Sequence, residues 1–211
     1  LSGFLVLSSL GISPQALAKG PKPSFHQKET KPIYSYEEAI KETIFVESKL
    51  DTDQNGEFDR IAVDIIRPKE TDKKLKVPII MDASPYYESM GRGNESEIKD
   101  TDNDGINDQF PLYYDNYFVP RGYAVALPDM VGTNNSDGCP RTGGPEEIES
   151  IRVVIDWLNG KGKAWDQDGE KIDAKWSNGK VGMIGKSYDG TLANGVAATG
   201  VKGLETIVPI G

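Results

Sequence analysis

Residues 180–200 read KVGMIGKSYDGTLANGVAATG, and the rest of the chain is organised around this stretch. The apolar run 181–184 predicts a short buried strand, and the small residues that follow predict a helix thin enough to lie close on a sheet. Ser187 stands at the turn between the two elements. Gly185 is expected just before the turn, because the strand and the helix approach each other closely there. Together these residues predict a serine presented at a sharp strand-to-helix turn.

A serine in such a turn is typical of the nucleophile elbow of the α/β-hydrolase fold. The free N–H groups at the start of the helix would favour the oxyanion that forms when the serine attacks a carbonyl. The common elbow is G-x-S-x-G, whereas here Asp189 takes the last glycine position and Gly190 follows it. We expect Asp189 to favour the helix N-terminus, but also to bring negative charge near the reacting centre. The alternative is a glycine-rich connection whose serine merely caps the helix.

The apolar runs along the rest of the chain predict an α/β protein. Segment 146–159 is the clearest helix, with isoleucine and leucine at helical spacing behind an acidic first turn. Segments 88–109 and 161–178 are polar and predict excursions from the sheet. Five runs predict strands, the first two as a β-hairpin: 43–50, 60–67, 77–81, 123–127 and 204–210. This order predicts the N-terminal half of an α/β-hydrolase, with a mostly parallel sheet, helices on its faces and a nucleophile elbow.

Length, composition and charge limit the classes of function. The chain has 211 residues, which suits one domain or part of a larger one. A hydrophobic fraction of 37% is enough for a core, and the net charge of −9 argues against nucleic acid or an anionic membrane surface as a partner. The single cysteine, Cys139, excludes an internal disulfide and a cysteine-rich metal site.

The N-terminal residues resemble part of a secretory signal peptide. An apolar run at 3–12 is too short for an ordinary membrane-spanning helix, and Ala-Leu-Ala at 16–18 is a small-x-small cleavage pattern. The alternative is a disordered or core-packing N-terminus. No cysteine closely follows the apolar run, so we expect no lipid anchor in the membrane. We therefore expect a signal peptide at 1–18 without its n-region, a linker or arm at 19–33, a partial catalytic domain at 34–211, and a secreted bacterial protein.

A serine nucleophile needs a base and a group that orients the base. In the α/β-hydrolase fold the chain order is serine, then an acid, then histidine, and no histidine follows Ser187. The one histidine, His26, lies in the polar N-terminal arm and is expected to be solvated. A pair of Ser187 with Lys186 is conceivable, but neighbouring side chains in an elbow turn generally diverge. The simpler expectation is a fragment whose triad Asp and His lie beyond Gly211.

A second candidate site residue follows the strand predicted at 77–81. The loop Ser84-Pro85-Tyr86-Tyr87 lies where these enzymes place their second oxyanion donor. The hydroxyl group of Tyr86 would then complement the backbone N–H of Tyr188, the residue after the nucleophile. The alternative for Tyr86 is a half-buried loop aromatic without a catalytic role.

Two acidic turns share one spacing of oxygen-bearing side chains. Alternate oxygen ligands with a glycine in the tight turn suit Ca²⁺, although Ala62 and Pro111 stand where a complete EF-hand loop has its bidentate glutamate. A structural calcium ion is one interpretation, and a solvated turn rich in Asp, Asn and Gly is the other. The candidate ligands are Asp51, Asp53, Asn55 and Asp59 in the first turn, and Asp100, Asp102, Asp104 and Asp108 in the second.

Several separated motifs resemble one family in order and spacing. IDWLNG and GKSYDGT in residues 154–211, together with VDIIRPKET, ASPYY and DMVGTNNSDG, look like the catalytic domain of the Xaa-Pro dipeptidyl-peptidases. The resemblance covers about residues 34–211. Cocaine-esterase-like and acylase members of the same superfamily share G-x-S-Y-x-G and the Pro-Tyr motif more loosely.

The resemblance implies a reaction and a set of site residues. Ser187 would attack the carbonyl of a penultimate proline and release an N-terminal Xaa-Pro dipeptide, with the Tyr86 hydroxyl and the Tyr188 N–H as the oxyanion hole. The substrates would be proline-containing peptides, and no cofactor would be required. The family's triad Asp and His, and the groups that hold the substrate amine, come later in its sequence. The alternatives are an ester or amide hydrolase of the cocaine-esterase and acylase type, and a non-catalytic calcium-binding surface module.

Overall fold

A computed structural model describes residues 22–26, 29–89 and 96–211 of the chain. The expected signal peptide at 1–18 lies outside the described residues. Three α-helices are present in the described ranges: α1 (Tyr114–Phe118), α2 (Pro145–Leu158) and α3 (Tyr188–Ala198). The strands are β1 (Phe25–His26), β2 (Glu29–Thr30), β3 (Ile40–Glu47), β4 (Arg60–Arg67), β5 (Val77–Met81), β6 (Ala124–Pro128), β7 (Ala164–Asp166), β8 (Lys171–Ile172), β9 (Ser177–Lys186) and β10 (Leu204–Ile210).

The main sheet has eight strands in the order β10-β9-β5-β6-β4-β3-β7-β8. The four strands β10, β9, β5 and β6 run parallel to their neighbours in this group. The predicted hairpin of β3 and β4 is confirmed, and β4 joins the parallel group by pairing antiparallel with β6. The α/β class and the parallel half that carries the elbow are therefore confirmed, within a sheet that is mixed as a whole.

The prediction of a polar excursion at 161–178 needs correction. The excursion 161–178 contains β7 and β8, and β7 extends the sheet by pairing antiparallel with β3. Ala164 is fully buried in this pairing, but a strand of three residues is too short to show alternation in the sequence. Within the expected arm at 19–33, β1 and β2 form a small antiparallel pair.

The helices α2 and α3 pack against the sheet and against each other. The predicted apolar stripe of α2 is confirmed, because Ile151, Ile155 and Leu158 all lie in the main core. A Cβ atom at Gly195 of α3 would come within 2.7 Å of the end of the Ile148 side chain of α2, so a larger residue there would require that side chain to shift. In the described part of the chain, no helix combines the length and apolar character needed to cross a membrane.

Candidate active site

Ser187 lies at a strained turn between β9 and α3. Its backbone angles are φ 60° and ψ −116°, a region that residues other than glycine rarely occupy. The Ser187 N–H donates to the Ile210 carbonyl at 2.8 Å, and the Ser187 carbonyl accepts from Thr191 at 3.0 Å. The side chain is exposed and makes no capping hydrogen bond. The serine therefore does not serve as a side-chain cap, and its side chain is open to solvent.

Two glycines allow the strand and the helix to meet at this turn. A Cβ atom at Gly185 would lie 2.4 Å from the carbonyl carbon of Asp189, and one at Gly190 would lie 2.9 Å from the Gly185 oxygen and 3.0 Å from the Ile210 oxygen. Contacts this short cannot be accommodated by backbone atoms. The close approach that the sequence predicted at Gly185 is therefore confirmed.

The two predicted oxyanion residues lie side by side. Tyr188 is the first residue of α3, so its N–H belongs to the group that an α-helix leaves without an internal partner. The Tyr86 ring meets the Tyr188 ring edge to face, with centroids 6.0 Å apart. The Tyr86 N–H donates to the Ser84 hydroxyl at 3.1 Å, which fixes the loop. The structure thus brings Tyr86 and Tyr188 together next to Ser187.

The Tyr188 side chain is held by α2. Its hydroxyl donates to Glu147 Oε1 at 2.7 Å, and the Gly143 N–H donates to both oxygens, at 3.1 Å to Tyr188 and 3.0 Å to Glu147. Glu147 is buried. Sequence reasoning treated this glutamate only as an acid in the first turn of the helix, and nothing in its spacing indicates a partner 41 residues away.

Three acids cluster behind the serine. Asp82 and Asp189 are almost fully buried, and both carboxylate oxygens of Asp82 and one of Asp189 lack hydrogen-bond partners. Burial, followed by the charge of Glu97, raises the pKa of Asp189 to about 8. Burial and then the charge of Asp189 raise the pKa of Asp82 well above its ordinary value. A raised pKa favours the neutral form of Asp189, so it lessens the negative charge that the sequence leads us to expect near the reacting centre.

Lys99 is a buried cation that sequence reasoning missed. It is 1% exposed, and its ammonium group donates to Asp64 at 2.7 Å, to Asp129 at 2.7 Å and to the Leu127 carbonyl at 2.9 Å. Burial lowers the pKa of Lys99, but the Asp129 and Asp64 carboxylates outweigh it, so the net shift is upward. The backbone N–H of Lys99 also donates to the Tyr87 carbonyl at 3.1 Å. This bond joins the polar segment 88–109 to the loop that carries Tyr86.

The acidic turns form two loops with matching hydrogen bonds. In the first, between β3 and β4, Asp51 accepts from the N–H groups of Asn55 and Gly56 at 3.0 and 3.1 Å. In the second, between β5 and β6, Asp100 accepts from Asp104 and Gly105 at 3.3 and 2.7 Å. Carboxylate oxygens of Asp100, Asp102 and Asp104 lie within 4.8 Å of one another.

The structure does not place a histidine at the serine. His26 is exposed in β1, where it pairs with Glu29 of β2. Within the described ranges Ser187 therefore has a strained turn and two oxyanion candidates, but no histidine base beside it.

Curated proteins similar to this chain include Xaa-Pro dipeptidyl-peptidases. A Streptomyces avermitilis protein provisionally named an Xaa-Pro dipeptidyl-peptidase is 56% identical over 186 residues, covering 87% of this chain and 28% of its own length. The Xaa-Pro dipeptidyl-peptidase of Lactobacillus helveticus is 35% identical, covering 89% of this chain and 28% of that protein. The chain thus spans less than a third of the length of these relatives.

Solved structures support the same fold. An α-amino acid ester hydrolase matches with a TM-score of 0.52 and 22% identity, covering 93% of this chain and 28% of that one. A CocE/NonD family hydrolase from Staphylococcus aureus matches with a TM-score of 0.52 and 20% identity, covering 79% of this chain and 27% of that one. At these identities the likeness shows the α/β-hydrolase fold alone.

One protein-family model matches the part of the chain that contains the elbow and most of the sheet. The model described as X-Pro dipeptidyl-peptidase (S15 family) matches residues 55–211, which is most of the chain and includes β4, the Tyr86 loop and the Ser187 turn. The chain therefore belongs to the X-Pro dipeptidyl-peptidase (S15) family.

Proposed function

We propose that the intact protein is a serine peptidase that releases Xaa-Pro dipeptides from the N-termini of peptides, with Ser187 as its nucleophile. The observation that carries this proposal is the exposed Ser187 side chain on a strained turn at the start of α3, beside Tyr86 and Tyr188. Family membership supports the choice of substrate.

In the proposed reaction, Ser187 Oγ attacks the carbonyl carbon of the penultimate proline as a base takes the hydroxyl proton. The carbonyl oxygen becomes an oxyanion and accepts hydrogen bonds from the Tyr188 N–H and the Tyr86 hydroxyl. The tetrahedral intermediate expels the amine of the next residue, which receives the proton. Water then cleaves the acyl-enzyme and frees the dipeptide. No histidine that could act as this base lies beside Ser187 in the described ranges.

The electrostatics of the site suit this role for Tyr86. Burial, followed by the charges of Asp189 and Glu97, raises the pKa of the Tyr86 hydroxyl. The hydroxyl therefore keeps its proton at neutral pH and can donate it to an oxyanion. Because the pKa of Asp189 is also raised, its carboxyl group opposes the oxyanion less than a carboxylate of ordinary pKa would.

The test is hydrolysis of Ala-Pro-p-nitroanilide and of a simple aryl ester by the intact protein. Ser187→Ala should lower kcat/KM for the dipeptide substrate by about 10⁴-fold or more. Tyr86→Phe should lower kcat by about 10²- to 10³-fold. Tyr117→Phe removes an exposed tyrosine hydroxyl from α1 and is the matched control, which should keep full activity.

Two results would contradict the proposal. Unchanged hydrolysis by Ser187→Ala would reject the nucleophile. Turnover of the aryl ester without turnover of Ala-Pro-p-nitroanilide would favour the ester or amide hydrolase of the cocaine-esterase and acylase type instead.

We also propose that the protein is exported. The apolar run at 3–12 and Ala-Leu-Ala at 16–18 support cleavage after Ala18. N-terminal sequencing of the protein from the culture medium should begin at Lys19. Recovery of the chain only inside the cells, with the apolar run intact, would contradict export.

A further inference from the structure

The Ser84 hydroxyl group links the Tyr86 loop to a carboxylate that the proposed reaction does not use. Ser84 is fully buried, and its backbone is fixed beside the end of β6: its N–H donates to the Pro128 carbonyl at 3.2 Å, and its carbonyl accepts from Met130 at 3.1 Å. Its Oγ atom accepts from the Tyr86 N–H at 3.1 Å and donates to Glu97 Oε2 at 2.6 Å. A hydroxyl group has one proton to donate, so Glu97 orients the acceptor that holds the Tyr86 N–H.

Glu97 also reaches the helix that begins beside the nucleophile. Its carboxyl group is hydrogen-bonded to that of Asp189, in the first turn of α3. Asp189 directly follows Tyr188, whose backbone N–H is the second proposed oxyanion donor. One side chain therefore contacts both of the segments that carry the oxyanion donors.

A shared proton allows the two carboxyl groups to lie against each other. Two ionised carboxylates would repel, whereas a protonated one can donate to an ionised one. Burial is the largest cause that raises the pKa of both groups, to about 8 for Asp189. The hydrogen bonds from Ser84 and Asp189 oppose the shift at Glu97, because they favour its ionised form. This arrangement is that of a carboxylate, Glu97, which accepts one proton from the Ser84 hydroxyl and one from the Asp189 carboxyl group.

We propose that Glu97 is a positioning residue for the oxyanion hole, which sets the Tyr86 loop through Ser84 and joins that loop to the start of α3 through Asp189. This role rests on the proposed function, because it requires the Tyr86 hydroxyl and the Tyr188 N–H to stabilise an oxyanion. Both donors must meet the same developing charge, and a misplacement of about 1 Å can cost about 10²-fold in rate. Glu97 acts through its two partners and not on the substrate.

A purely structural role for Glu97 is the alternative, and the Tyr86 hydroxyl distinguishes the two roles. If Glu97 positions that hydroxyl, the loss of Glu97 costs much less activity once the hydroxyl is absent. If Glu97 only stabilises the fold, its loss lowers activity by the same factor with or without the hydroxyl. A double-mutant cycle of Glu97→Ala with Tyr86→Phe therefore separates positioning from stability.

The experiment measures kcat and KM of the intact protein with Ala-Pro-p-nitroanilide and with a simple aryl ester, because one oxyanion hole serves both substrates. Glu97→Ala and Ser84→Ala should each lower kcat about 10- to 100-fold and change KM by less than about twofold. In protein that already carries Tyr86→Phe, the cost of Glu97→Ala should be at least about fivefold smaller. Glu97→Gln keeps an oxygen for the Ser84 hydroxyl and should recover most of kcat. Glu170→Ala removes an exposed glutamate and is the matched control, which should keep full activity.

Glu97 has no positioning role if folded Glu97→Ala keeps full kcat, or if its cost is equal with and without the Tyr86 hydroxyl. Should Glu97→Ala fail to fold, Ser84→Ala enters the same cycle, and an equal cost in both backgrounds overturns the proposal. Turnover of the aryl ester alone would reject the proposed peptidase function, whereas coupling measured with that ester would still support the role of Glu97. Hydrolysis of neither substrate by the unaltered protein would reject both.

Discussion

Asp189 is the residue whose chemistry departs furthest from what its sequence position indicates. It follows the candidate nucleophile by two residues, yet it is buried beside Asp82 and Glu97 rather than facing the reaction. Its raised pKa of about 8 means that the folded protein holds a proton that the unfolded chain releases above its ordinary pKa of 3.8. The folded state therefore binds more protons between these two values, and this contribution to stability is lost as the pH rises toward 8.

Replacement of Asp189 should change how the free energy of unfolding depends on pH. We expect Asp189→Asn to become progressively more stable, relative to the unaltered protein, as the pH rises from about 4 to about 8. Urea unfolding at a series of pH values measures the difference. Asp168→Asn, which removes one exposed carboxylate, controls for the general change in charge. A difference for Asp189→Asn that does not change over this pH range would show that Asp189 is ionised in the folded protein.

Replacement of Lys99 is also expected to lower the free energy of unfolding substantially. Its ammonium group is the shared partner of the buried Asp64 and Asp129 carboxylates, so its loss leaves two buried charges without a cation. Lys99→Met should lower the free energy of unfolding by about 3–5 kcal/mol, as measured by urea denaturation. Lys69→Met breaks the exposed pair with Glu38 and should have a far smaller effect. Equal effects of the two substitutions would contradict the importance of the buried pairs.

At the scale of elements, the turn between β9 and α3 depends on glycine. A Cβ atom at Gly185 would collide with the backbone of Asp189, whereas one at Gly182 on the same strand would lie 3.2 Å from the Thr206 methyl group, a side chain that can shift. Gly185→Ala should therefore lower the free energy of unfolding by at least about 1–3 kcal/mol and lower activity, and Gly182→Ala should do less. The denaturation midpoints of the two variants measure this difference in stability. If both tolerated alanine equally, the close approach would not be needed.

The elements that the sequence predicts well are those with strong local patterns. The strands at Val77–Met81 and Leu204–Ile210 have the predicted bounds, and the helix Pro145–Leu158 is displaced by one residue at each end. The three-residue β7 was missed because it gains its buried Ala164 only by pairing with β3, which is distant in the chain. Helix α1 was missed for a related reason, because its five residues are too few to show helical periodicity.

The candidate site follows the same division between local and distant contacts. Ser187 and the glycines around it are a local signal, since the turn is built within a few residues. Glu147 and Lys99 form hydrogen bonds with partners 28 to 41 residues away in the chain, so these contacts are visible only in the folded structure. Their residue types give no hint of this, because a glutamate in a first turn and a lysine in a polar insertion are usually solvated.

At the scale of the molecule, the parallel half of the sheet presents its functional loops at one edge. The loop after β5 carries Tyr86, and the turn after β9 carries Ser187 and Tyr188. The two strands are hydrogen-bonded neighbours, with Met81 beside Met183 in the register. Ligands bind outside the carboxyl ends of parallel strands in open α/β sheets, and these loops occupy that position. The whole-molecule arrangement therefore supports a single reaction centre at Ser187.

The most direct test of that centre is covalent labelling of the intact protein with a fluorophosphonate probe, followed by peptide mapping. The structure predicts one modified peptide that contains Ser187, with no label on the Ser187→Ala variant. Labelling at another serine, or hydrolysis of Ala-Pro-p-nitroanilide by protein that the probe leaves unmodified at Ser187, would contradict the central claim.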